Sequence, residues 1–162
     1  SVSVEPPMFV DVVNVTSAAD MADVVKSKAA EQDIIIMTAA VADFCPSHPA
    51  DEKIKKNDSS YESVIELERT EDILSYLGAH KAKGQLICGF SMETQNMLEN
   101  SKAKLAKKNA DMIVANNLKV AGAGFGTDTN VVTLITADDC TELEIMDKSC
   151  VAARIMDRLL KM

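Results

Sequence analysis

Short apolar runs alternate with helix-forming segments along this chain of 162 residues, and this order constrains the fold more than any other feature. Strands that alternate with helices of about ten to fifteen residues form a mostly parallel sheet with helices on both faces. We therefore predict an α/β fold, and at this length a single domain. The predicted strands cover residues 9–15, 33–40, 61–68, 86–91, 112–115, 131–136 and 142–146.

The segments between these strands carry helix patterns. Ser17 and Asp20 have the spacing of a capping box at the start of the first helix. Thr70 is expected to cap the second helix. The last two strands should form a C-terminal hairpin through residues 137–139. The predicted helices cover residues 17–31, 71–83, 93–109 and 147–160.

The composition argues against several classes of function. The 17 Lys and Arg residues are outnumbered by 25 Asp and Glu, whereas nonspecific binding to nucleic acid requires a basic excess. The four cysteines are widely spaced, which indicates neither a zinc site nor a redox dithiol. We expect reduced thiols, with Cys88 and Cys150 buried.

No apolar stretch approaches the roughly 20 residues of a membrane helix, and no secretory signal opens the chain. A cytoplasmic protein without membrane or nucleic-acid partners is expected.

An apolar run at residues 34–42 ends at Asp43, and ten residues later comes the basic cluster Lys53, Lys55 and Lys56. The run is typical of a strand buried on both faces, with Asp43 at its carboxyl tip. Ligands of open α/β sheets bind outside the carboxyl ends of the strands, so Asp43 could meet a ribose and the lysines a phosphate. The alternative is an aspartate that opens a turn, followed by a solvated lysine loop.

A second basic cluster lies on the predicted third helix. Lys104 and Lys108 are four residues apart and share a face, so both ammonium groups could point at one ligand. The alternative is that they complement the helix dipole, which is worth about 0.3–1 kcal/mol each. Phe90 could pack on a base, although an aromatic residue at a strand end is more often part of the core. Two basic clusters on an acidic body favour a small phosphorylated ligand.

Two other features carry little chemistry. The glycine-rich loop at residues 121–126 is not a G-x-G-x-x-G turn between a strand and a helix, so we expect a flexible linker there. The two histidines, His48 and His80, lie beside no elbow motif with a nucleophile. Covalent catalysis is therefore not expected.

Seven short motifs follow one another along the chain. They are A-A-V-A-D-F at 39–44, E-K-I-K-K at 52–56, E-D-I at 71–73, G-F-S-M-E-T at 89–94, the lysines of 104–108, D-M-I-V-A-N at 111–116 and G-F-G-T-D-T-N at 124–130. In this order and spacing they resemble phosphopantothenoylcysteine synthetase, the phosphopantothenate–cysteine ligase of coenzyme A synthesis. The resemblance covers nearly the whole chain.

The resemblance implies a Rossmann-like fold, a homodimer and a two-step ligation. The carboxylate of 4′-phosphopantothenate attacks the α-phosphate of CTP, which gives an acyl-cytidylate and pyrophosphate. The amine of cysteine then displaces CMP. Mg²⁺ is expected on the triphosphate. The sequence leaves open whether CTP or ATP is used, and whether a flavin-dependent phosphopantothenoylcysteine decarboxylase domain is fused ahead of this one.

The resemblance also implies roles for single residues. Lys53 would be catalytic and close over the phosphates and the acyl intermediate. Asp43 would accept a hydrogen bond from the ribose. The ring of Phe90 and the backbone around Ala39 and Ala40 would frame the cytidine, with Ala40 toward the substrate. The implied nucleotide-binding residues are Met37, Thr38, Ala39, Asp43, Lys53, Glu71, Asp72, Ile73, Leu74, Phe90 and the triphosphate ligands Lys104 and Lys108, and no residue is assigned to the metal.

One departure from the family concerns the start of the chain. The family begins with a strand, a Gly-Gly-Thr-type turn and a helix, and this sequence matches only after them, from about Val2. We therefore expect a single synthetase domain over residues 1–162 whose first β-α unit is missing. A catalytically inactive nucleotide-binding or interaction module is the alternative function. A dinucleotide oxidoreductase is disfavoured, because the chain has no glycine fingerprint.

Overall fold

A computed structural model describes residues 5–50, 52–53, 64–93, 96–117 and 126–162. The elements of this part of the chain follow in sequence order. They are α1 (Ala18–Ala29), β1 (Ile34–Met37), β2 (Phe44–Pro46), β3 (Leu67–Arg69), α2 (Ile73–Ala79), β4 (Leu86–Glu93), α3 (Met97–Lys107), β5 (Met112–Asn117), β6 (Thr129–Asn130), β7 (Val132–Ile135), β8 (Cys140–Glu142), β9 (Met146–Asp147) and α4 (Lys148–Leu159).

The central sheet has five strands in the order β1-β4-β5-β7-β8. β1, β4 and β5 are parallel, and β7 and β8 add an antiparallel hairpin at one side. The hairpin turn is held by Thr136, whose backbone N–H donates to the carbonyl of Asp139 over 2.9 Å. The predicted α/β sheet is thus confirmed. The C-terminal hairpin is also confirmed, but its second strand is β8 at Cys140–Glu142 and not the strand predicted at 142–146.

Helices cover both faces of this sheet, as predicted. On one face Val151, Ile155 and Leu159 of α4 pack in a buried cluster with Cys88 and Met112 of the strands. Alternate strand residues face the other way, toward α2 and α3. These helices approach closely there, because a hydroxyl of α3 bonds to one of β4 and a leucine of α2 lies over a glycine of β4.

The chain divides into two compact units, Ser1–Ser27 with Val41–Glu71, and Lys28–Ala40 with Asp72–Met162. The second unit contains the five-stranded sheet and the buried cluster around α4. The first contains most of α1 and the antiparallel pair of β2 and β3. In the first unit the predicted capping box is confirmed, since Asp20 N–H donates to Ser17 Oγ and Ser17 N–H donates to Asp20 Oδ2, over 3.0 and 2.9 Å.

Three more predicted strands are absent from the structure or shorter than expected. Residues 9–15 form no strand in the structure, and Phe9 has a positive φ of 66°. A strand needs ladder hydrogen bonds to a neighbour, and a run of valines alone does not provide one. The strand expected at 33–40 ends at Met37 and is half-buried rather than buried, since it lies at an edge of the described sheet. Of the strand expected at 61–68, residues 61–63 lie outside the described part, and β3 begins only at Leu67.

Two local predictions are also corrected. The N-cap of α2 is Asp72, whose side chain accepts from Ser75 N–H, and not Thr70. Thr70 instead donates its backbone N–H to the carbonyl of Asp43 in the first unit. Cys88 is buried as expected, but Cys150 is exposed because it lies on the outer side of α4. No helix in the described ranges has both the length and the apolarity needed to cross a bilayer.

Candidate nucleotide site at the strand ends

The parallel strands of the second unit end at different levels. Met37, the last residue of β1, pairs with Gly89, and β4 then continues to Glu93 beside β5 alone. The residues that follow β1, Thr38 to Ala40, are exposed. This offset leaves one edge of β4 without a described neighbour from Phe90 onward, at the carboxyl end of the parallel strands.

The first turn of α2 lies against β4 at the same level. A Cβ atom added to Gly89 would come within 2.6 Å of Leu74 Cδ2, so glycine provides the space that the helix needs. Ile73 beside it is buried. The segment Asp72 to Leu74 and the ends of β1 and β4, all predicted to line the nucleotide pocket, are therefore neighbours within the second unit.

Lys104 brings a positive charge to this place. From α3 its Nζ donates to the carbonyl oxygen of Phe90 over 3.1 Å. Within the described residues Lys104 has no carboxylate partner, so its charge is not neutralised by an ion pair. The ring of Phe90 is half-buried and packs against the α4 core cluster. Only part of that ring is thus available to a ligand. The backbone carbonyl of Phe90 already accepts a hydrogen bond from the Lys104 ammonium.

Lys108, one turn further, is held differently. Its Nζ forms an ion pair with Asp72 Oδ2 and donates to Ser75 Oγ over 2.9 Å. The side chain of Lys108 is only 12% exposed, and that of Asp72 is 51% exposed. Burial raises the pKa of Asp72, but the hydrogen bonds from Lys108 and Ser75 outweigh it and hold the pKa below 3.8. The two lysines do not share one acceptor in this structure.

The remaining predicted site residues belong to the first unit. Asp43 is exposed and lies just before β2, six residues after β1 ends, so it is not at the tip of that strand as predicted. The polypeptide leaves the sheet after Met37 and re-enters extended structure only at β2. Lys53 is exposed. Glu71 forms an ion pair with Lys26. Lys55, Lys56 and most of the glycine-rich loop lie outside the described residues.

The described residues offer little for covalent or metal chemistry. Burial, helped by the charge of Asp111, raises the pKa of the Cys88 thiol to about 12, so it stays protonated and is a poor nucleophile. No group of three or more His, Cys, Asp or Glu side chains within the described ranges could hold a metal ion. The arrangement is suited to binding and orienting an anion.

Sequence reasoning missed the partners of Lys108. The D-x-x-S spacing of Asp72 and Ser75 is typical of a helix N-cap and could have identified the start of α2. The ion pair itself joins residues 36 positions apart. Spacing within one helix could not reveal it, because it depends on how α2 and α3 pack.

Together the mixed sheet, its two helical layers and the cationic strand ends define a Rossmann-like α/β domain suited to a nucleotide or another phosphorylated ligand. Residues 1–162 match the family model described as the DNA/pantothenate metabolism flavoprotein C-terminal domain. The chain belongs to this family.

Known relatives agree with this assignment. The chain is 46% identical over 156 residues to the coenzyme A biosynthesis bifunctional protein CoaBC of Bacillus subtilis, covering 96% of this chain and 38% of that protein. It thus spans about two fifths of the relative's length. A crystal structure of the C-terminal domain of a CoaBC protein has a TM-score of 0.79 and 40% identity, over 100% of this chain and 72% of that one. A mutant of Cab2 in complex with phosphopantothenate-cysteine shares the fold, with a TM-score of 0.64 and 18% identity over 91% of this chain and 52% of that one.

Proposed function

We propose that this chain is the phosphopantothenate–cysteine ligase domain of coenzyme A biosynthesis. The carboxylate oxygen of 4′-phosphopantothenate attacks the α-phosphorus of CTP, and the bond to the bridging oxygen breaks to release pyrophosphate. The amine of L-cysteine then attacks the acyl carbon of the mixed anhydride. CMP leaves with the bonding electrons, and the amine loses its proton as the amide forms.

The proposal is supported by the family to which the chain belongs and by one observation above the others. The ammonium of Lys104 rests on the Phe90 carbonyl at the carboxyl end of the parallel strands without a described counterion. A triphosphate is the kind of ligand that would supply a counterion. Preorganised cations aimed at developing charge are the usual main contribution of such a site.

The other roles follow the family resemblance. Lys104 and Lys108 hold the triphosphate, Asp43 accepts from the ribose, and Lys53 closes over the phosphates and the acyl intermediate. Ala39 and the ring of Phe90 frame the base, with Ala40 beside the substrate. Met37, Thr38 and the segment from Glu71 to Leu74, which includes Asp72 and Ile73, complete the nucleotide pocket.

Mg²⁺ fits this proposal as an ion carried by the nucleotide. It usually binds through phosphates, waters and one or two carboxylates rather than through a protein cage. The ion would neutralise phosphate charge, and the chain's own lysines would orient the α-phosphate.

The proposal also concerns the protein as a whole. We propose that it acts in the cytoplasm as a homodimer. Its relative in B. subtilis is a bifunctional protein, which supports a fusion to a flavin-dependent decarboxylase domain.

The deciding experiment is a turnover assay of the full-length protein. With 4′-phosphopantothenate, cysteine, Mg²⁺ and CTP it should release CMP and pyrophosphate, and with ATP it should be slower. Lys104→Gln and Lys53→Gln should each lower kcat/KM by about 10²–10³-fold, the usual loss for one preorganised donor. Lys102→Gln is the matched control, because Lys102 lies on α3 but is exposed. It should keep the wild-type rate.

Each outcome separates the candidate functions. Absence of both products at saturating substrate would favour an inactive nucleotide-binding module. Equal losses in the Lys102 and Lys104 variants would show that Lys104 has no specific role. A Lys53→Gln variant with the wild-type rate would remove the proposed closing function of that residue.

A further inference from the structure

We propose that Asp72 is an internal competitor of the nucleotide, which holds the ammonium of Lys108 until the triphosphate displaces it. This inference rests on the proposed function and deepens it, because it assigns Asp72 as a residue that sets nucleotide affinity. The carboxylate would occupy the position of a phosphate oxygen in the free protein. Binding would then exchange one anion for another at the same ammonium group.

The geometry supports an exchange at Lys108 rather than at Lys104. Lys104 contacts a neutral carbonyl, whereas Lys108 is paired with a carboxylate and a hydroxyl. Both lysines lie on the same side of α3, one turn apart, and Lys108 N–H still donates to Lys104 O over 2.9 Å. One lysine is therefore ready to meet an anion, and the other must first leave Asp72.

The Asp72 carboxylate stays hydrogen-bonded and solvated when Lys108 leaves it. Its Oδ1 accepts from Ser75 N–H over 2.9 Å and keeps this cap when the ion pair opens. Half of the Asp72 side chain is exposed, so water can take the place of the ammonium. Removal of one partner is strongly destabilising when it leaves a buried charge unpaired. The Lys108 side chain is only 12% exposed, so its ammonium leaves Asp72 when a phosphate oxygen takes the place of the carboxylate, while Ser75 Oγ stays beside it. The ion pair can thus open without loss of the helix start.

A triphosphate would attract the Lys108 ammonium more strongly than a single carboxylate does, because it carries several negative charges. The exchange nevertheless uses part of the binding energy. The protein with Asp72 should therefore bind nucleotide more weakly than one in which Lys108 is free. Asn at position 72 isolates this effect, since Asn is as good an N-cap as Asp but has no charge.

The test is the affinity of the full-length protein for CTP with Mg²⁺, measured by isothermal titration calorimetry. Asp72→Asn should bind CTP about two- to fivefold more tightly, which corresponds to the strength of a partly exposed ion pair. Asp139→Asn is the control. It removes the same charge from another ion pair, that of Asp139 with Arg158. The side chain of Asp139 is 48% exposed, close to the value for Asp72. Its affinity for CTP should match that of the wild type.

Two further variants make the result specific. In the Lys108→Gln background, Asp72→Asn should no longer change the affinity, because the ammonium group is absent. Ser75→Ala removes the other partner of Lys108 and should shift the affinity in the same direction as Asp72→Asn. This variant also serves if Asp72→Asn folds poorly, as judged by its thermal melt.

The outcomes distinguish this inference from the function on which it rests. Unchanged or weaker CTP binding by Asp72→Asn, with normal binding by the wild type, would overturn the competition and leave the ligase proposal intact. An equal gain in Asp139→Asn would reduce the effect to net charge and also overturn it. A wild type that binds no CTP would overturn both.

Discussion

At the scale of single residues, Asp20 shows how a fully exposed side chain can define the start of an element. Its Oδ2 accepts from Thr16 Oγ1 over 2.7 Å, from Ser17 N–H over 2.9 Å and from Thr16 N–H over 3.2 Å. The hydrogen bond from the Thr16 hydroxyl contributes most to lowering its pKa from 3.8 to about 2, followed by the bonds from Ser17. The carboxylate form is therefore the one that caps α1.

This shift predicts a pH dependence for the start of α1. Because the folded pKa is depressed, the stabilisation by Asp20 is fully present above pH 3.8 and is lost as the pH falls through about 2. A ¹³C titration of the Asp20 carboxyl by NMR should show its midpoint near 2. In Thr16→Val, which removes the strongest donor, the midpoint should rise toward 3.8. A wild-type midpoint at the ordinary value would contradict this account of the cap.

At the scale of elements, a buried hydrogen bond fixes α3 on the sheet. Ser91 of β4 and Ser101 of α3 join their hydroxyls over 2.8 Å, and both residues are buried. Ser101 precedes Lys104 by one turn, so the same contact helps to place the ammonium that reaches Phe90. A polar pair in this position specifies one orientation of α3, since any other leaves two hydroxyls without partners.

We expect this pair to behave as a coupled unit. Ser101→Ala should lower the free energy of unfolding by about 1–3 kcal/mol, because it leaves the Ser91 hydroxyl buried and unpaired. Ser91→Ala/Ser101→Ala should lose less than the sum of the single losses, since both polar groups are gone. Urea denaturation of the four proteins measures the coupling. Strictly additive losses would show that the two hydroxyls do not depend on each other.

The sequence predicts some of these elements and contacts but not others. The apolar runs at 86–91 and 112–115 identify β4 and β5, because strands in the middle of a parallel sheet are apolar on both faces. The β-branched run at 9–15 forms no strand, since pairing depends on a neighbour that the local pattern does not contain. Of the candidate site, the composition predicts which cations are present. The packing of α2 on α3 decides that Lys108 meets Asp72 while Lys104 meets a carbonyl.

At the scale of the whole molecule, the predicted nucleotide residues are divided between the two compact units. Asp43 and Lys53 belong to the first unit, and Phe90, Lys104 and Lys108 belong to the second. The second unit also contains the five-stranded sheet and the buried cluster around α4. A ligand that binds the folded state adds its binding free energy to stability by mass action, wherever its contacts lie. Thermal unfolding therefore reports nucleotide choice for the molecule as a whole.

We expect CTP with Mg²⁺ to raise the Tm of the full-length protein more than ATP does at the same concentration. At about 100 times Kd the gain is about 2.7 kcal/mol. For a folding unit of about 150–250 residues, about 2–4 °C per kcal/mol gives a shift of about 5–11 °C in the unfolding transition of this domain. Differential scanning fluorimetry with both nucleotides measures it, and Lys104→Gln should show a smaller shift with CTP while Lys102→Gln keeps the wild-type shift. A larger shift with ATP would make the proposed choice of CTP wrong, because differential stabilisation by two ligands at one concentration reports their relative affinities directly.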